Sequence, residues 1–259
     1  HKSGSGSVAF STLSASGAIS ISLGSGSGDF TVNTDIDGDS TLIIDGSNFG
    51  GSMDAAKLTA GGNMTVSMGT EGDFSAGVVV TMGSFTLDGA ASTTGQTTLT
   101  GVSAGNGITI SMGTGTGAVT LTSGATGGNF TLDASTFGGA IEISNVTASG
   151  AVVASVGTNG DFSAAHVATQ GAFTIDAAAS NSGAVAIGGV TAGGNMTISM
   201  GGGTGSLALT SGITAGNFTL DASTFGGTID ITNVTGSGAA TVSVGPQGDF
   251  SAGHVAVQG

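Results

Sequence analysis

The chain repeats itself at a fixed interval of 88 residues, and this periodicity limits the folds that it can adopt. Residues 107–171 and 195–259 agree at 46 of 65 positions without a gap. Residues 1–83 form a more diverged copy, which is followed by copies at 84–171 and 172–259. Repeats of fixed length are typical of folds in which each unit packs only on its neighbours.

Each 88-residue unit divides into four segments of about 22 residues. Successive segments start at residues 63, 84, 107, 129, 151, 172, 195, 217 and 239. Most open with two apolar residues that flank an outward polar one, such as Phe130 and Leu132 around Thr131. Residues two apart lie on the same face of a strand, so the apolar columns should face a core and the Thr column should face outwards.

The sequence therefore predicts an all-β fold, a parallel β-helix (β-solenoid) of about 11–12 coils that forms one domain over residues 1–259. Coils stacked at about 4.8 Å would give a rod of roughly 50–60 Å. Corner glycines are expected to supply positive φ angles and to let coils approach closely. A sandwich or barrel of antiparallel strands is the alternative, but it would not explain the fixed period.

Composition narrows the classes of function. Hydrophobic residues make up 38% of the chain, too many for a disordered Gly/Ser linker. The net charge is −14 and the only cations are Lys2 and Lys57, which argues against binding to nucleic acid or to anionic membranes. No apolar run approaches the length of a membrane-spanning helix. The chain has no Cys and no Arg, so we expect no enzyme activity and no required cofactor.

Three carboxylates are close together at Asp35, Asp37 and Asp39. They alternate around Gly38, which predicts a turn, and they stand where the 88-residue register slips by one residue. Carboxylate oxygens suit calcium, so the segment predicts a weak calcium site in which an inserted corner loop wraps the ion. The alternative is a solvated acidic turn.

Polar residues recur at fixed places after the first strand of each coil. Asp in one coil alternates with Ser in the next, which spaces the charges two coils apart and limits their repulsion; an ion-binding strip is the other interpretation. The Thr column also permits an ice-binding face. Six Asn-x-Thr sequences are N-glycan acceptors in a suitable host, or else corner residues with left-handed backbone. They begin at Asn63, Asn129, Asn145, Asn195, Asn217 and Asn233.

Segments such as 129–139 (NFTLDASTFGG), 195–201 (NMTISMG) and 160–171 (GDFSAAHVATQG) resemble the Gly/Ser/Thr/Asn-rich tandem repeats of large bacterial surface proteins. These include adhesins, S-layer-like proteins and extracellular fibres. The resemblance implies a β-helical stalk or filament outside the cell, with surface glycans or other cells as partners. A phage tail fibre or spike is the alternative function, followed by a polysaccharide-active β-helix enzyme or an ice-binding module.

The ends of the sequence carry no evident capping element. Residues 239–259 resemble an ordinary coil, that at 151–171. Because terminal solenoid units are usually polar and atypical, we expect further coils of the same chain or end-to-end self-association.

Overall fold

Parallel strands stack along one axis in two sheets and enclose a single interior. The structure is a computed structural model that describes residues 6–258. Every strand pair is parallel and joins residues about 22 positions apart, as Phe130 and Val152 are joined. The described residues form about 11 turns of a β-solenoid and contain no helix, so the predicted fold is confirmed. No helix among them is long and apolar enough to cross a membrane.

Each coil contributes one long strand, or two short strands in its place, to a sheet that we call the long-strand sheet. This sheet contains β1 (Val8–Phe10), β2 (Leu13–Ala15), β4 (Phe30–Gly38), β6 (Ser52–Ala60), β8 (Asp73–Thr81), β10 (Thr97–Ala104), β12 (Ala118–Leu121), β13 (Ala125–Gly127), β15 (Ala140–Ala148), β17 (Asp161–Thr169), β19 (Ala184–Ala192), β21 (Ser206–Ala215), β23 (Thr228–Gly236) and β25 (Asp249–Val257).

The remaining strand of each coil belongs to the short-strand sheet. This sheet contains β3 (Ile19–Ser22), β5 (Leu42–Asp45), β7 (Met64–Ser67), β9 (Phe85–Gly89), β11 (Gly107–Met112), β14 (Asn129–Ala134), β16 (Val152–Val156), β18 (Phe173–Ala177), β20 (Met196–Met200), β22 (Phe218–Ala222) and β24 (Ala240–Val244). At the N-terminal end, the long-strand sheet extends one coil beyond β3, the outermost short strand.

The long strands bend in the middle. In β15 the buried residues Ile141 and Ile143 are followed, after two outward residues, by Val146 and Ala148. Two successive outward residues shift the alternation by one, so each half of the strand presents its own apolar pair to the interior. Each coil therefore has three straight segments around the core, one from the short strand and two from the long strand.

The interior column that begins each coil alternates in side-chain size. Phe occupies every second coil from Phe85 to Phe218, and smaller residues lie between, so that Phe130 has Ile108 and Val152 as register neighbours. In register order the column contains Ile19, Leu42, Met64, Phe85, Ile108, Phe130, Val152, Phe173, Met196, Phe218 and Ala240. Alternating large and small residues fill a narrow core without rings stacking at strand spacing.

A column of glycines follows the corner that leads into the long strands. It contains Gly28, Gly51, Gly72, Gly95, Gly117, Gly139, Gly160, Gly183, Gly205, Gly227 and Gly248. A Cβ on Gly139 would overlap the backbone oxygen of Gly117 in the coil before it. The same overlap with backbone of the preceding coil applies to Gly51, Gly95, Gly117, Gly183, Gly205 and Gly227. The expected close approach of adjacent coils at these glycines is thus confirmed. The expectation of positive φ is wrong for most corners, since only Gly24 and Gly124 show it among residues 6–258.

Variation in coil length is concentrated at this same corner. Four residues lie between Ser155 and Gly160, whereas six lie between Asp176 and Gly183. An extra residue also occurs within the strands, as a bulge in β4 between Val32 and Asp35 and as a register shift in β21. Lengths therefore vary mostly, but not only, where the backbone leaves the sheets.

We predict that Gly139→Ala will lower the free energy of unfolding by about 1–3 kcal/mol, the usual cost of overpacking. The reason is that the new methyl group meets backbone rather than a movable side chain. Gly138→Ala is the matched control, because a Cβ there has its nearest neighbour at 3.7 Å. Denaturant unfolding measures both. Equal stability of the two variants would contradict the steric role of the column.

Candidate functional site

The alternating Asp and Ser residues lie at the corner after the short strands. Register pairing places Asp133 between Ser111 and Ser155, and the same alternation runs from Ser22 to Ser243. Each Asp in the column accepts a hydrogen bond from the backbone N–H two residues ahead, at 3.0 Å from Ala90 to Asp88 for example. This is an Asx turn, in which the side chain reproduces a backbone turn.

Serine strengthens three of these turns. The Oγ–H of Ser47, Ser135 and Ser223 donates to Asp45, Asp133 and Asp221 respectively, at 2.6–2.8 Å. These hydroxyl bonds, followed by the backbone N–H bonds, hold the pKa of Asp45 and of Asp221 below the ordinary value of 3.8. The carboxylates thus have a local structural partner, which accounts for their position without a bound ion.

The proposed calcium ligands lie along a strand. Asp35 and Asp37 belong to β4 and flank buried Ile36, and Asp39 directly follows Gly38, the last residue of that strand. The predicted Gly turn and ion-wrapping corner loop are therefore wrong. Asp35 pairs in register with Lys57, which brings a cation to the neighbouring strand. Among residues 6–258, no group of three His, Asp or Glu side chains could hold a metal ion.

Four of the six Asn-x-Thr asparagines form a ladder between coils. Their Oδ1 atoms accept the backbone N–H of the residue at the same place one coil later, as Asn217 accepts from Ala239 at 2.8 Å. Asn63, Asn129 and Asn195 do the same. The left-handed backbone proposed for these corners is wrong, because no described non-glycine residue has positive φ. Asparagine is present here because its amide oxygen caps the next coil.

Asn145 and Asn233 lie elsewhere, at the bend of the long strands. Both are exposed, and their register neighbours one coil later are His166 and His254. The same Asn–His pair therefore recurs every four coils, at about 19 Å along the axis. We call this outward row of bend residues the bend ridge.

The outer face of the short-strand sheet carries the Thr column. Register pairing aligns Thr109 with Thr86 and Thr131, but Ile43 and Val153 interrupt the same column. The neighbouring column consists of the Asp and Ser corner residues. The regular, uncharged Thr surface considered for ice binding is thus broken by apolar residues and bordered by carboxylates.

An apolar groove lies at the N-terminal step between the two sheets. It is lined by Val8, Phe10, Ile21, Leu23 and Phe30, among others. The rings of Phe10 and Phe30 lie 6.1 Å apart between centroids. The groove leads from the edge of β3 to the first long-strand coil.

Comparison with known proteins gives no relative: no family model matches the chain, and neither a curated protein nor a solved structure does.

We predict that Asn217→Ala will destabilise the chain by about 0.5–1.5 kcal/mol, because the Ala239 N–H loses its acceptor. Asn233→Ala, which alters an exposed Asn of the bend ridge, is the control and should change stability little. Thermal or denaturant unfolding of the two variants tests this. A similar loss of unfolding free energy in both variants would show that Asn217 does not stabilise the chain through this hydrogen bond.

We predict that Ser223→Ala will raise the pKa of Asp221 toward 3.8, since the hydroxyl bond is the larger cause of its lowering. Because the pKa is lowered in the folded chain, the stabilisation is present above pH 3.8 and is lost as acidification passes through the folded pKa. Carboxyl NMR titration measures the shift. Ser47→Ala should raise the pKa of Asp45 and leave that of Asp221 unchanged.

The calcium hypothesis stays a prediction that titration calorimetry can test. If the three aspartates bind the ion, millimolar calcium should release or absorb heat, and Asp37→Ala should abolish the signal. Lys57→Gln should strengthen binding, because it removes the cation beside Asp35. If neither the native chain nor Lys57→Gln gives a heat signal with calcium, the hypothesis of a calcium site is refuted.

Proposed function

We propose that this chain is a rod-forming segment of an extracellular stalk or filament on a cell surface, of the adhesin, S-layer-like or fibre type that its repeats resemble. Its role in this proposal is structural or adhesive, without catalysis. The observation that carries it is the form of the last described coil. Its strands β24 and β25 keep the register and the apolar columns of an interior coil and can act as a template for another.

Burial shows how the last described coil differs from its interior equivalent. Phe250 and Val255 of β25 are each 42% exposed. Phe162 and Val167, at the same places in β17 and covered by β19, are 3% and 1% exposed. A further coil on β25 would bury these side chains and pair the free backbone groups of the strand, and burial of apolar area favours such a contact.

The sides of the rod support a display role. The chain carries 16 acidic residues and two Lys, and the corner carboxylates recur every second coil. Regularly spaced negative charge keeps lateral surfaces apart and directs association to the ends. Surface glycans or other cells are the proposed adhesive partners.

Electron microscopy and light scattering of the isolated chain test the assembly. We expect rods that join end to end, with strands perpendicular to the axis. Phe250→Asp together with Val255→Asp should leave single rods, because it charges the apolar end. Val78→Asp is the control, since Val78 is 44% exposed but lies on the side of the rod. A compact monomer at high concentration, or assembly that ignores the end substitutions, would contradict the proposal.

Location is tested separately in the organism that makes the protein. An antibody raised against the 88-residue repeat should label intact cells. Labelling only after permeabilisation would rule out a surface stalk.

A further inference from the structure

One methionine of the chain differs from the other six in its surroundings. Met82 is 78% exposed, whereas each of the others is at most 4% exposed. These buried residues are Met53, Met64, Met68, Met112, Met196 and Met200. Thioether sulfur is the most easily oxidised group in the chain, because the sequence contains no Cys, Trp or Tyr. Of the seven thioethers, the fold therefore presents one to solvent.

Glycines on both sides account for the exposure of Met82. The residue directly follows β8, and the strand register continues to Gly61 in the preceding coil and to Gly105 in the next. A Cβ on Gly105 would overlap the carbonyl oxygen of Met82, so the two residues are adjacent. Neither glycine has a side chain that could cover the thioether, and this leaves the Met82 side chain open to solvent.

The buried methionines are part of the core packing. Met64 and Met196 belong to the interior column that begins each coil, and both are fully buried. The sulfur of Met68 accepts a hydrogen bond from the hydroxyl of Thr97 at 3.3 Å, and both residues are buried. Because protein interiors are close-packed, an oxidant reaches such a sulfur atom only when the coils open locally.

Later repeats show that the place of Met82 accepts a polar side chain. The residues one and two 88-residue units further on are Gln170 and Gln258. Gln170 directly follows β17, as Met82 follows β8, and it is exposed. Methionine sulfoxide is a polar side chain of similar length, with an oxygen atom near its end. A sulfoxide at residue 82 would therefore lie outside the core, at a place that the fold already fills with an amide.

We propose that Met82 is a site of selective oxidation to methionine sulfoxide by hydrogen peroxide, and that the fold tolerates the product. The sulfur atom attacks one peroxide oxygen, the O–O bond breaks and an S–O bond forms. The proton of the transferred hydroxyl passes to the departing hydroxide and gives water, so sulfur loses the two electrons that the peroxide gains. The product adds a polar group to an outward row of β8 that also contains Val78 and Val80. This inference is independent of the proposed function.

Peroxide treatment of the full native chain tests the site. Cleavage at aspartate isolates Met82 in the fragment between Asp73 and Asp88, which contains no other methionine, so mass spectrometry follows this residue alone. We expect Met82 to be oxidised at least about tenfold faster than any other methionine, because the others require local opening. In denaturant all seven should react at similar rates. Equal rates in the native chain, or a preference for Met82 that persists in denaturant, would overturn the proposal.

Thermal unfolding tests whether the fold tolerates the product. The chain oxidised at Met82 and the variant Met82→Gln, which carries the residue of the later repeats, should both unfold at the native midpoint. Met82→Leu is the matched control: it should keep the native midpoint and lose the fast phase of oxidation. Met196→Gln should lower the midpoint, because it places an amide in the core. A lower midpoint after oxidation of Met82 alone, or a fast phase that survives in Met82→Leu, would contradict the proposal.

Discussion

Backbone hydrogen bonding between coils is the constraint on which the rest of this structure depends. Parallel pairing holds successive coils about 4.8 Å apart, so each residue lies directly on its counterpart one coil away. Each side chain must then pack either against an identical side chain or against a smaller one, as Phe130 packs between Ile108 and Val152. Where even a methyl group is too large for this spacing, the glycine column keeps the backbones in contact.

The same constraint explains why charge alternates in step with size. Strands with Phe in the core, such as β9 and β18, carry Asp three residues after the Phe, and the strands between them carry Ser at the paired position. The unit of packing is thus a pair of unlike coils rather than a single coil. Carboxylates two coils apart, about 10 Å, lie near the Debye length at physiological salt, and their repulsion is correspondingly screened.

The apolar columns, their register and the Asp/Ser alternation could be predicted from the sequence because period two and period 22 are both visible in the residues. The corner conformations could not. The hydrogen bond from the Ala239 N–H to Asn217 forms only because two coils stack, and local sequence does not reveal this. Local sequence suggested a left-handed backbone instead. Asp35–Asp39 similarly reads as a turn around Gly38, yet pairing with β6 extends the strand through Gly38. Tertiary pairing overrides local preference at these places.

Four coils, rather than two, make the full repeat because the outer surface follows a longer period than the core. Within one 88-residue unit, the two coils that share a core type differ in corner length and in their bend residues. Core type, corner length and bend residues therefore recur together only after four coils. Along the bend ridge this places His166 and His254 one repeat apart, at about 19 Å, while the interior already repeats at about 10 Å. The outer surface therefore repeats with the 88-residue unit and the core with the pair of coils, although one hydrogen-bonded stack produces both periodicities.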